Sequence, residues 1–499
     1  MSSSFCFAGY PAAVLYSADG QKAVSQKLWG SRLELTGNTA GNQLEVKAGR
    51  RRLWVDRKAT QTHPVLEVMF LDIGQGDSCL VSLPTAGPQP RKFIIDAGGS
   101  DNLIRFLNHK YRLPGSAVSF EAFIITHPDE DHYAGFSPLL QSESFNVDTI
   151  YHSGITDRGS SGTAGGLGKK LWINGKHYLT EVTETKTQLQ DLLAAQKAAV
   201  GSKLSRYLGL MDQAAASGRV GDIRMLSVND GYLPGCGPSD NVTIQVLAPI
   251  PEAVAGGKPA YRWFGDVGKT KNGHSVVLRL VYGQVSLLLG GDLNIPAEEY
   301  LLEHYTGYKL PAADSEEEAK IVTAGRRVFQ SDFAKACHHG SADFTEVFLQ
   351  AVNALGTVIS SGDDESFAHP RADTLGTVGK YSRGRRSLIF STELARSTRE
   401  TVKNAALFRE RLRAAAKAVE VAGNGGNQRS IDAAEKRFSK LLEQIERSVT
   451  TFGAINLRTD GKNVVFAYRI ENPRSPASQW DIYQFTRNSA GDLVFDSKH

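Results

Sequence analysis

The chain is poor in cysteine, and its 499 residues contain only 4, which lie far apart: Cys6, Cys79, Cys236 and Cys337. The absence of a CxxC pair excludes a disulfide framework and a cysteine zinc knuckle, and fits a reducing compartment. No apolar run reaches the roughly 18 residues that a membrane span needs. Because no basic segment precedes an apolar stretch at the N-terminus, we expect no signal peptide, a cytoplasmic location and no membrane contact.

Neither sign of charge predominates, since the chain has 57 Lys and Arg residues and 53 Asp and Glu residues, which give a net charge of +4. This small excess permits a nucleic-acid or nucleotide partner without arguing for one. Basic stretches occur at 47–58 and 380–386. By about two to one, such stretches are solvated faces rather than nucleic-acid contacts in a chain of this charge.

The length predicts two or three structural units. Residues 1–60 alternate short β-like runs with Gly and Asn turns, and "LWGSRLELTG…LEVKAGRRRLWVDRK" resembles a bacterial SH3-like domain. Residues 65–395 predict an αβ-layered domain with a helical insertion at about 158–220. Two apolar stripes at helical spacing predict an antiparallel helical hairpin over 396–450, and residues 451–499 predict strands that complete the layered domain or pack on it.

The segment "EAFIITHPDEDH" places His127, Asp129, Asp131 and His132 just after a predicted strand. Short polar side chains on such a turn can converge on one point, and imidazole nitrogens with carboxylate oxygens suit zinc or manganese. The plain alternative is an exposed acidic turn, with a weight of about one in three for this motif alone.

Further candidates stand at the ends of later predicted strands. Asp292 closes "VSLLLGGD", and the adjacent His338 and His339 close "FAKAC". His274 precedes "SVVLRLVYG", where a lone histidine is structural about as often as it is a ligand. Three more acids are predicted to orient ligand imidazoles through the second ring N–H rather than to bind metal: Asp72, Asp77 and Asp96.

Taken in order, the segments "FLDIGQGDS", "FIIDAG", "THPDEDHYAGF", "NGHSVVLRLVYG", "LLLGGD", "HHGS" and "AHP" resemble the metallo-β-lactamase superfamily. More narrowly, they are similar to the hydrolase domain of ComEC-type competence proteins, from about residue 65 to about residue 390. The resemblance implies an α+β fold, a four-layer αβ/βα sandwich with a di-metal site at one edge of its two sheets. Here the SH3-like β domain and the helical insertions are added to it.

The resemblance also implies a ligand set. His127 and Asp129 would hold one metal ion and Asp131 and His132 the second, while Asp292 would bridge both. Asp129 stands where many members have histidine, which makes manganese more plausible than in an all-histidine site.

Other roles stay open under the resemblance. Either His338 or His339 would complete the second site. His274 lies near the position of a family histidine, but ComEC-type sequences often have Asn there, so Asn272 is its rival. Asp131 could accept a proton from water, and His339 or His369 could protonate the leaving oxygen.

The function implied is hydrolysis with water activated by two divalent ions, zinc or manganese, most plausibly on a phosphodiester by a nuclease or nucleotide phosphodiesterase. Because no apolar run is long enough to span a membrane, we expect no membrane channel like that of the competence proteins. An ester, lactone, thioester or cyclic nucleotide is an alternative substrate, since a fold alone does not choose one. A non-catalytic protein that binds partners through the SH3-like domain or the helical hairpin is the other alternative. The near-complete ligand set argues against it.

Overall fold

The computed structural model describes residues 5–48, 51–85, 89–111, 117–159, 166–200, 203–254, 257–362, 367–393, 405–425, 427–446 and 449–496. Its strands are, in chain order, β1 Phe5–Ala8, β2 Ala12–Tyr16, β3 Ala23–Leu28, β4 Arg32–Ala40, β5 Gln43–Ala48, β6 Arg51–Asp56, β7 Thr60–Gln61, β8 Leu66–Phe70, β9 Cys79–Leu83, β10 Arg91–Ile95, β11 Val118–Ile125, β12 Phe145–His152, β13 Lys170–Ile173, β14 Lys176–Leu179, β15 Val220–Met225, β16 Val242–Ala248, β17 Glu252–Ala253, β18 Pro259–Arg262, β19 Val277–Tyr282, β20 Val285–Leu289, β21 Phe333–Lys335, β22 Gly356–Ile359, β23 Leu388–Ser391, β24 Ile455–Thr459, β25 Val464–Arg469, β26 Trp480–Arg487 and β27 Leu493–Asp496.

The helices are α1 Asn102–Tyr111, α2 Glu130–Tyr133, α3 Phe136–Gln141, α4 Lys186–Val200, α5 Arg206–Ala216, α6 Val267–Gly273, α7 Ile295–Thr306, α8 Ser315–Phe329, α9 Glu346–Val352, α10 Ala372–Tyr381, α11 Ala405–Gly425, α12 Gln428–Glu446 and α13 Val449–Phe452. None of the described helices is both long and apolar enough to span a bilayer.

Two large sheets pack face to face. One has the strand order β15-β12-β11-β10-β9-β8-β24-β25-β26-β27 and the other β16-β19-β20-β21-β22-β23. Their facing sides share one apolar core, to which the first contributes Val68 and Phe93 and the second Leu287 and Phe333. Separate apolar clusters join each outer sheet face to helices, which include α1 and α5 on one side and α7 to α9 on the other. The predicted four-layer αβ/βα sandwich is therefore confirmed.

The N-terminal strands form an antiparallel seven-stranded sheet in the order β3-β2-β6-β5-β4-β1-β7, with its own small core around Leu15, Val46 and Val55. At the other end of the chain, β24 pairs with β8 and extends the ten-stranded sheet. The hairpins predicted at Gly283 and at Asp460-Gly461 are both present. Helices α11 and α12 occupy the segment predicted as a helical hairpin, of which residues 396–404, 426 and 447–448 lie outside the described residues.

The insertion predicted as helical also contains strands. Helices α4 and α5 follow the hairpin β13–β14, which joins β18 and β17 in a four-stranded sheet. Asn174 and Gly175 form the turn of this hairpin with φ of 49° and 79°. Such paired left-handed residues are the type I′ turn that Asn-Gly favours between two strands, so the sequence did carry the signal for this hairpin.

Candidate metal centre

The candidate residues follow strands that end at the same edge of the sandwich. β10 and β11 are parallel neighbours, and β20 and β21 are parallel neighbours in the facing sheet. Each of these strands is followed by one or more of the candidate residues. Because the carboxyl ends of neighbouring parallel strands lie together, these residues converge. One potential ligand atom from each of four buried side chains lies within 4.8 Å of the others: Asp77, His132, Asp292 and His339.

The two histidines of this group direct their Nε2 atoms toward each other. His132 Nδ1 lies 2.8 Å from Asp96 Oδ2, and His339 Nδ1 lies 3.1 Å from the Ser360 carbonyl, so each Nδ1–H donates outward. The two Nε2 atoms lie 3.2 Å apart. Asp292 Oδ2 is 3.3 Å from one and 3.2 Å from the other. Two imidazole nitrogens and one carboxylate oxygen thus surround one point, where either Nε2 protons or a metal cation can satisfy them.

His127 is oriented by the same principle. Its Nδ1 lies 3.1 Å from Thr126 Oγ1 and 3.2 Å from Ser275 Oγ. The Thr126 hydroxyl donates to Asp96, and the Ser275 hydroxyl donates to the Asn272 carbonyl. The His127 Nδ1–H therefore donates to both hydroxyl oxygens. Its buried Nε2 has no hydrogen-bond partner in the described part of the chain and lies 3.6 Å from Asp129 Oδ2.

The electrostatics of the group favour positive charge. Burial lowers the pKa of His339, but Asp292 and Asp77 outweigh it and raise that pKa to about 10. Burial likewise opposes charge on His132, yet Asp292 and Asp96 raise its pKa well above the ordinary value. Burial favours the neutral acid at Asp292, but the facing imidazoles and Lys335 hold its pKa well below the ordinary value. The carboxylate field can therefore hold a cation at the point where the Nε2 atoms meet.

Lys335 occupies the floor of the group. Its fully buried ammonium forms an ion pair with Asp77 Oδ2, lies 3.6 Å from Asp292 Oδ1 and donates to the Gly291 carbonyl at 3.1 Å. Burial lowers the pKa of Lys335, but Asp77 and Asp292 raise it above its ordinary value, so the side chain stays charged. Because Lys335 neutralises Asp77, we regard Asp77 as a support of the site rather than a ligand.

The position expected to hold the other metal ion, made by His127 and Asp129, is arranged differently. Asp129 forms an ion pair with Lys271, and Lys271 Nζ also lies 3.0 Å from Asp157 Oδ2. With its amide turned to satisfy its neighbours, the Asn272 side chain donates to Asp129 Oδ2 at 2.8 Å. Burial favours the neutral acid, but His127 and Lys271 hold the pKa of Asp129 well below its ordinary value. Asp129 is thus ionised and already paired.

The remaining predicted residues line a cleft of about 350 Å³ that opens from the centre, together with Asp129, Asp292, His339 and other side chains. Asp131 is one-quarter exposed, and its Oδ2 lies 3.6 Å from His339 Nε2. His338 is similarly exposed, with its Nε2 4.0 Å from Asp292 Oδ2. The ring of His369 stacks between His339 and Phe367. A larger cavity of about 1420 Å³, between the N-terminal sheet and α11 and α12, is lined by a different set of residues.

Gly76 fixes the position of Asp131. Its φ is +107°, and a Cβ on this residue would lie 1.8 Å from the Asp131 carbonyl oxygen. Glycine is therefore required here for both conformation and space. Gln75 Nε2 donates to Asp131 Oδ2 at 3.4 Å. The Gly-rich turn of "LDIGQGDS" thus supports the carboxylate side of the cleft.

His274 is not brought to this group, which corrects its predicted role as a ligand. Its Nε2–H donates to the Arg262 carbonyl at 2.7 Å, and its ring stacks against Tyr261 and Phe264. Burial lowers the pKa of His274 to about 4, so the ring is a neutral core residue. Its rival Asn272 lies at the cleft instead.

Sequence reasoning missed the supports of the centre. Thr126 and Ser275 orient His127, while Lys271 and Lys335 neutralise carboxylates. A hydroxyl beside a ligand carries no distinctive pattern. A lysine inside the buried strand β21 does, because a charged residue at a fully buried strand position needs a buried counter-charge.

The donor set fits a divalent ion. It offers two imidazole Nε2 atoms and a carboxylate at one point, and Asp292 Oδ1 is buried without a hydrogen-bond partner among the described residues. Nitrogen and oxygen donors of this kind suit zinc or manganese. Asp131 lies beside them and could serve as a further donor.

The chain is similar in sequence to a known bacterial protein. ComE operon protein 3 of Bacillus subtilis (strain 168) is 24% identical over 332 residues, which cover 63% of this chain and 31% of that protein. The match thus spans under a third of the relative's length. No protein-family model matches the chain.

Solved structures give weaker similarities. Tm1679, a metal-dependent hydrolase of the β-lactamase superfamily, is 14% identical with a TM-score of 0.26, and the match covers 59% of this chain and 95% of that one. Metallo-β-lactamase SMB-1 bound to 2-mercaptoethanesulfonate is 14% identical with a TM-score of 0.25, covering 55% and 78%. A CmlA β-hydroxylase mutant is 9% identical with a TM-score of 0.30, covering 67% and 54%. By its own strand order and its similarity to ComE operon protein 3, the chain has the metallo-β-lactamase fold and resembles ComEC-type proteins.

Proposed function

We propose that this protein is a metal-dependent hydrolase that cleaves phosphodiester bonds in nucleic acids. The observation that carries the hydrolase assignment is the meeting of His132 Nε2, His339 Nε2 and Asp292 Oδ2 at one buried point beside an open cleft. A divalent ion held there supplies an activated water near neutral pH and neutralises charge on the scissile group.

The residues around the cleft divide the proton chemistry. Asp131, whose carboxylate lies at the cleft wall, accepts a proton from the attacking water. His339 is committed at both nitrogens, so the leaving oxygen takes its proton from the more exposed His338 or from His369. Of the adjacent pair, His339 is thus the proposed ligand and His338 a proposed acid.

Two observations support a phosphodiester substrate. The chain is similar in sequence to ComE operon protein 3 over 332 residues. At the rim of the cleft, the Phe367 side chain is 60% exposed and its ring stacks on His369 at 5.9 Å. An exposed aromatic ring beside a cationic centre provides a stacking surface for a base next to the scissile phosphate.

We expect the two metal positions to differ in affinity. The position made by His132, Asp292 and His339 has free lone pairs, whereas the position made by His127 and Asp129 competes with the Lys271 ammonium. The Asp129 oxygen donor at the His127–Asp129 position favours manganese over zinc.

The test is turnover of purified protein with Mn²⁺ or Zn²⁺ on single-stranded DNA, duplex DNA, RNA and bis(p-nitrophenyl) phosphate. Asp131→Asn should lose activity on every substrate that the wild type cleaves. Asp212→Asn is the control, because that carboxylate pairs with Lys197 on another part of the surface and does not line the cleft. Bound metal with turnover only of lactones or thioesters would replace the phosphodiester assignment. No bound metal and no activity above that of Asp131→Asn would favour a binding protein.

A further inference from the structure

We propose that the hairpin β13–β14 is a binding surface for single-stranded nucleic acid, which deepens the proposed function by naming the form of its substrate. The inference concerns one face of the hairpin, formed by Lys170, Trp172 and His177 and continued by Trp263 of the neighbouring strand end. We call this set the Trp172 face.

The aromatic ring at its centre is presented to solvent. The Trp172 side chain is 64% exposed, the joint highest value among the exposed large hydrophobic residues of the described chain. Its ring packs edge-on against His177 at 4.6 Å, which fixes the ring while leaving its surface accessible. Exposure of a tryptophan to water is unfavourable unless a partner covers it, and a flat ring is suited to stack on a base.

The charge around the ring is of one sign. Lys170 projects to the same side as Trp172, whereas the exposed Lys169 and Lys176 project with Leu171 to the other side, and residues 167–180 contain no acidic side chain. Lys170 Nζ also lies 4.4 Å from the centre of the Trp263 ring. Cations interleaved with aromatic rings match the phosphates and bases of a strand whose bases are unpaired.

The face is held rigidly. The type I′ turn closes the hairpin, β14 pairs with β18, and Trp263 N–H donates to the His177 carbonyl at 2.9 Å. A site built on paired strands keeps its geometry better than one on a loop. The Trp172 face is therefore preorganised for binding.

Ion pairs connect the hairpin to the metal centre. Glu181, two residues beyond β14, pairs with Arg158, and the adjacent Asp157 accepts from Lys271 Nζ at 3.0 Å. Lys271 in turn pairs with Asp129 of the cleft. Residues 157 and 158 thus contact both the end of the hairpin and Lys271, the partner of a cleft residue.

The arrangement favours nucleic acid over a membrane. Leu171 is 37% exposed but neighbours Trp172 along β13, so the two side chains project to opposite faces of the hairpin. They cannot enter a bilayer interface together, and lysines flank both. A stacking and phosphate-binding partner uses one face only, which is what the hairpin offers.

The experiment measures binding of a fluorescent single strand of about 16 nucleotides by anisotropy. EDTA is present, so that cleavage plays no part. Trp172→Ala should weaken binding by about 5- to 100-fold through the lost stacking. Lys170→Gln should reduce the slope of log affinity against log salt by about 0.7, whereas Lys176→Gln on the opposite face should leave it unchanged. Val421→Ala, which alters another 64% exposed side chain, and Lys320→Gln on α8 are the controls.

The outcomes separate this inference from the proposed function. Turnover of bis(p-nitrophenyl) phosphate should be unchanged in Trp172→Ala, since that small ester does not reach the hairpin. Binding without hydrolysis of any phosphodiester would overturn the function and leave the hairpin assignment standing. Unchanged affinity in both Trp172→Ala and Lys170→Gln, equal binding of duplex and single strand, or binding to anionic vesicles in place of nucleic acid would overturn the hairpin assignment.

Discussion

His132 Nε2 and His339 Nε2 lie 3.2 Å apart although the rings come from different sheets of the sandwich. Each ring directs its Nδ1 to a fixed acceptor, Asp96 or Ser360, so Nε2 is the nitrogen that faces the centre. A metal ion bound at this contact would lie between the sheets rather than on either one. The same geometry distinguishes the proposed ligands His132 and His339 from the side chains beside them, and mutation can test this distinction.

His339→Ala should abolish tight metal binding, whereas His338→Ala should leave the bound equivalents unchanged. His339 is buried with its Nε2 toward Asp292, but His338 is one-quarter exposed and lies 4.0 Å from the same carboxylate. Metal content after dialysis, measured by elemental mass spectrometry, compares the two variants. Equal metal loss in both would contradict the assignment, and the thermal transition of each metal-free protein controls for misfolding.

Asp96→Asn should weaken metal binding by about 10- to 100-fold without removing a ligand. The Asp96 carboxylate accepts from His132 Nδ1 and from both the N–H and the hydroxyl of Thr126. An amide cannot accept at both positions, so the imidazole loses its orientation. Asp96 has φ of 57°, a conformation that asparagine tolerates, which limits the effect on folding. Competition with a metal-sensitive dye gives the affinity, and wild-type affinity would refute the orienting role.

Much of this centre could be predicted from sequence because its ligands follow strands. Residues at the carboxyl ends of parallel strands converge wherever the strands are correctly identified, so His127, His132 and Asp292 needed no structural information. The choice between His338 and His339 could not be made, because it depends on a turn in which both residues have positive φ, 48° and 54°. A regular strand or helix pattern gives no direction for side chains on such a turn.

The error at His274 has a different cause. The residue stands two positions from Asn272 and precedes a strand, as a ligand would, but α6 ends just before it. Its ring therefore turns into an aromatic pocket between Tyr261 and Phe264. The partners that decide the matter lie 10 to 13 residues away in sequence, and no local pattern reveals them. The same holds for Lys271, whose counter-charge Asp157 lies in another segment.

Lys271→Gln should raise the affinity for a second metal ion by about tenfold or more, because the ammonium competes for Asp129. Its removal leaves His127 Nε2 and the Asp129 carboxylate available together. Isothermal titration of metal-free protein with Mn²⁺ should show one tight and one weak site in the wild type and two closer sites in the variant. Lys269→Gln, on the exposed side of the same helix, should titrate like the wild type. A wild type with two equal sites would exclude competition by Lys271.

Glu298→Gln should make stability less dependent on pH between about pH 4.5 and pH 8. Burial raises the pKa of Glu298 from 4.5 to about 8 in the folded protein. Its Oε2 accepts from Thr345 N–H and hydroxyl, while Oε1 has no hydrogen-bond partner among the described residues. The folded state thus binds a proton more tightly than the unfolded state does. The stability contributed by this proton is complete below the unfolded pKa and is lost as pH rises through about 8.

Glutamine keeps the acceptor oxygen for Thr345 and cannot ionise, so the variant does not lose stability at this position as pH rises. The difference in unfolding free energy, Glu298→Gln minus wild type, should therefore increase as pH rises from 5 to 9 when measured by urea denaturation at each pH. Working with the difference cancels the other groups that titrate in this range. A flat difference would mean that water reaches the carboxyl group and that its pKa is close to the ordinary value.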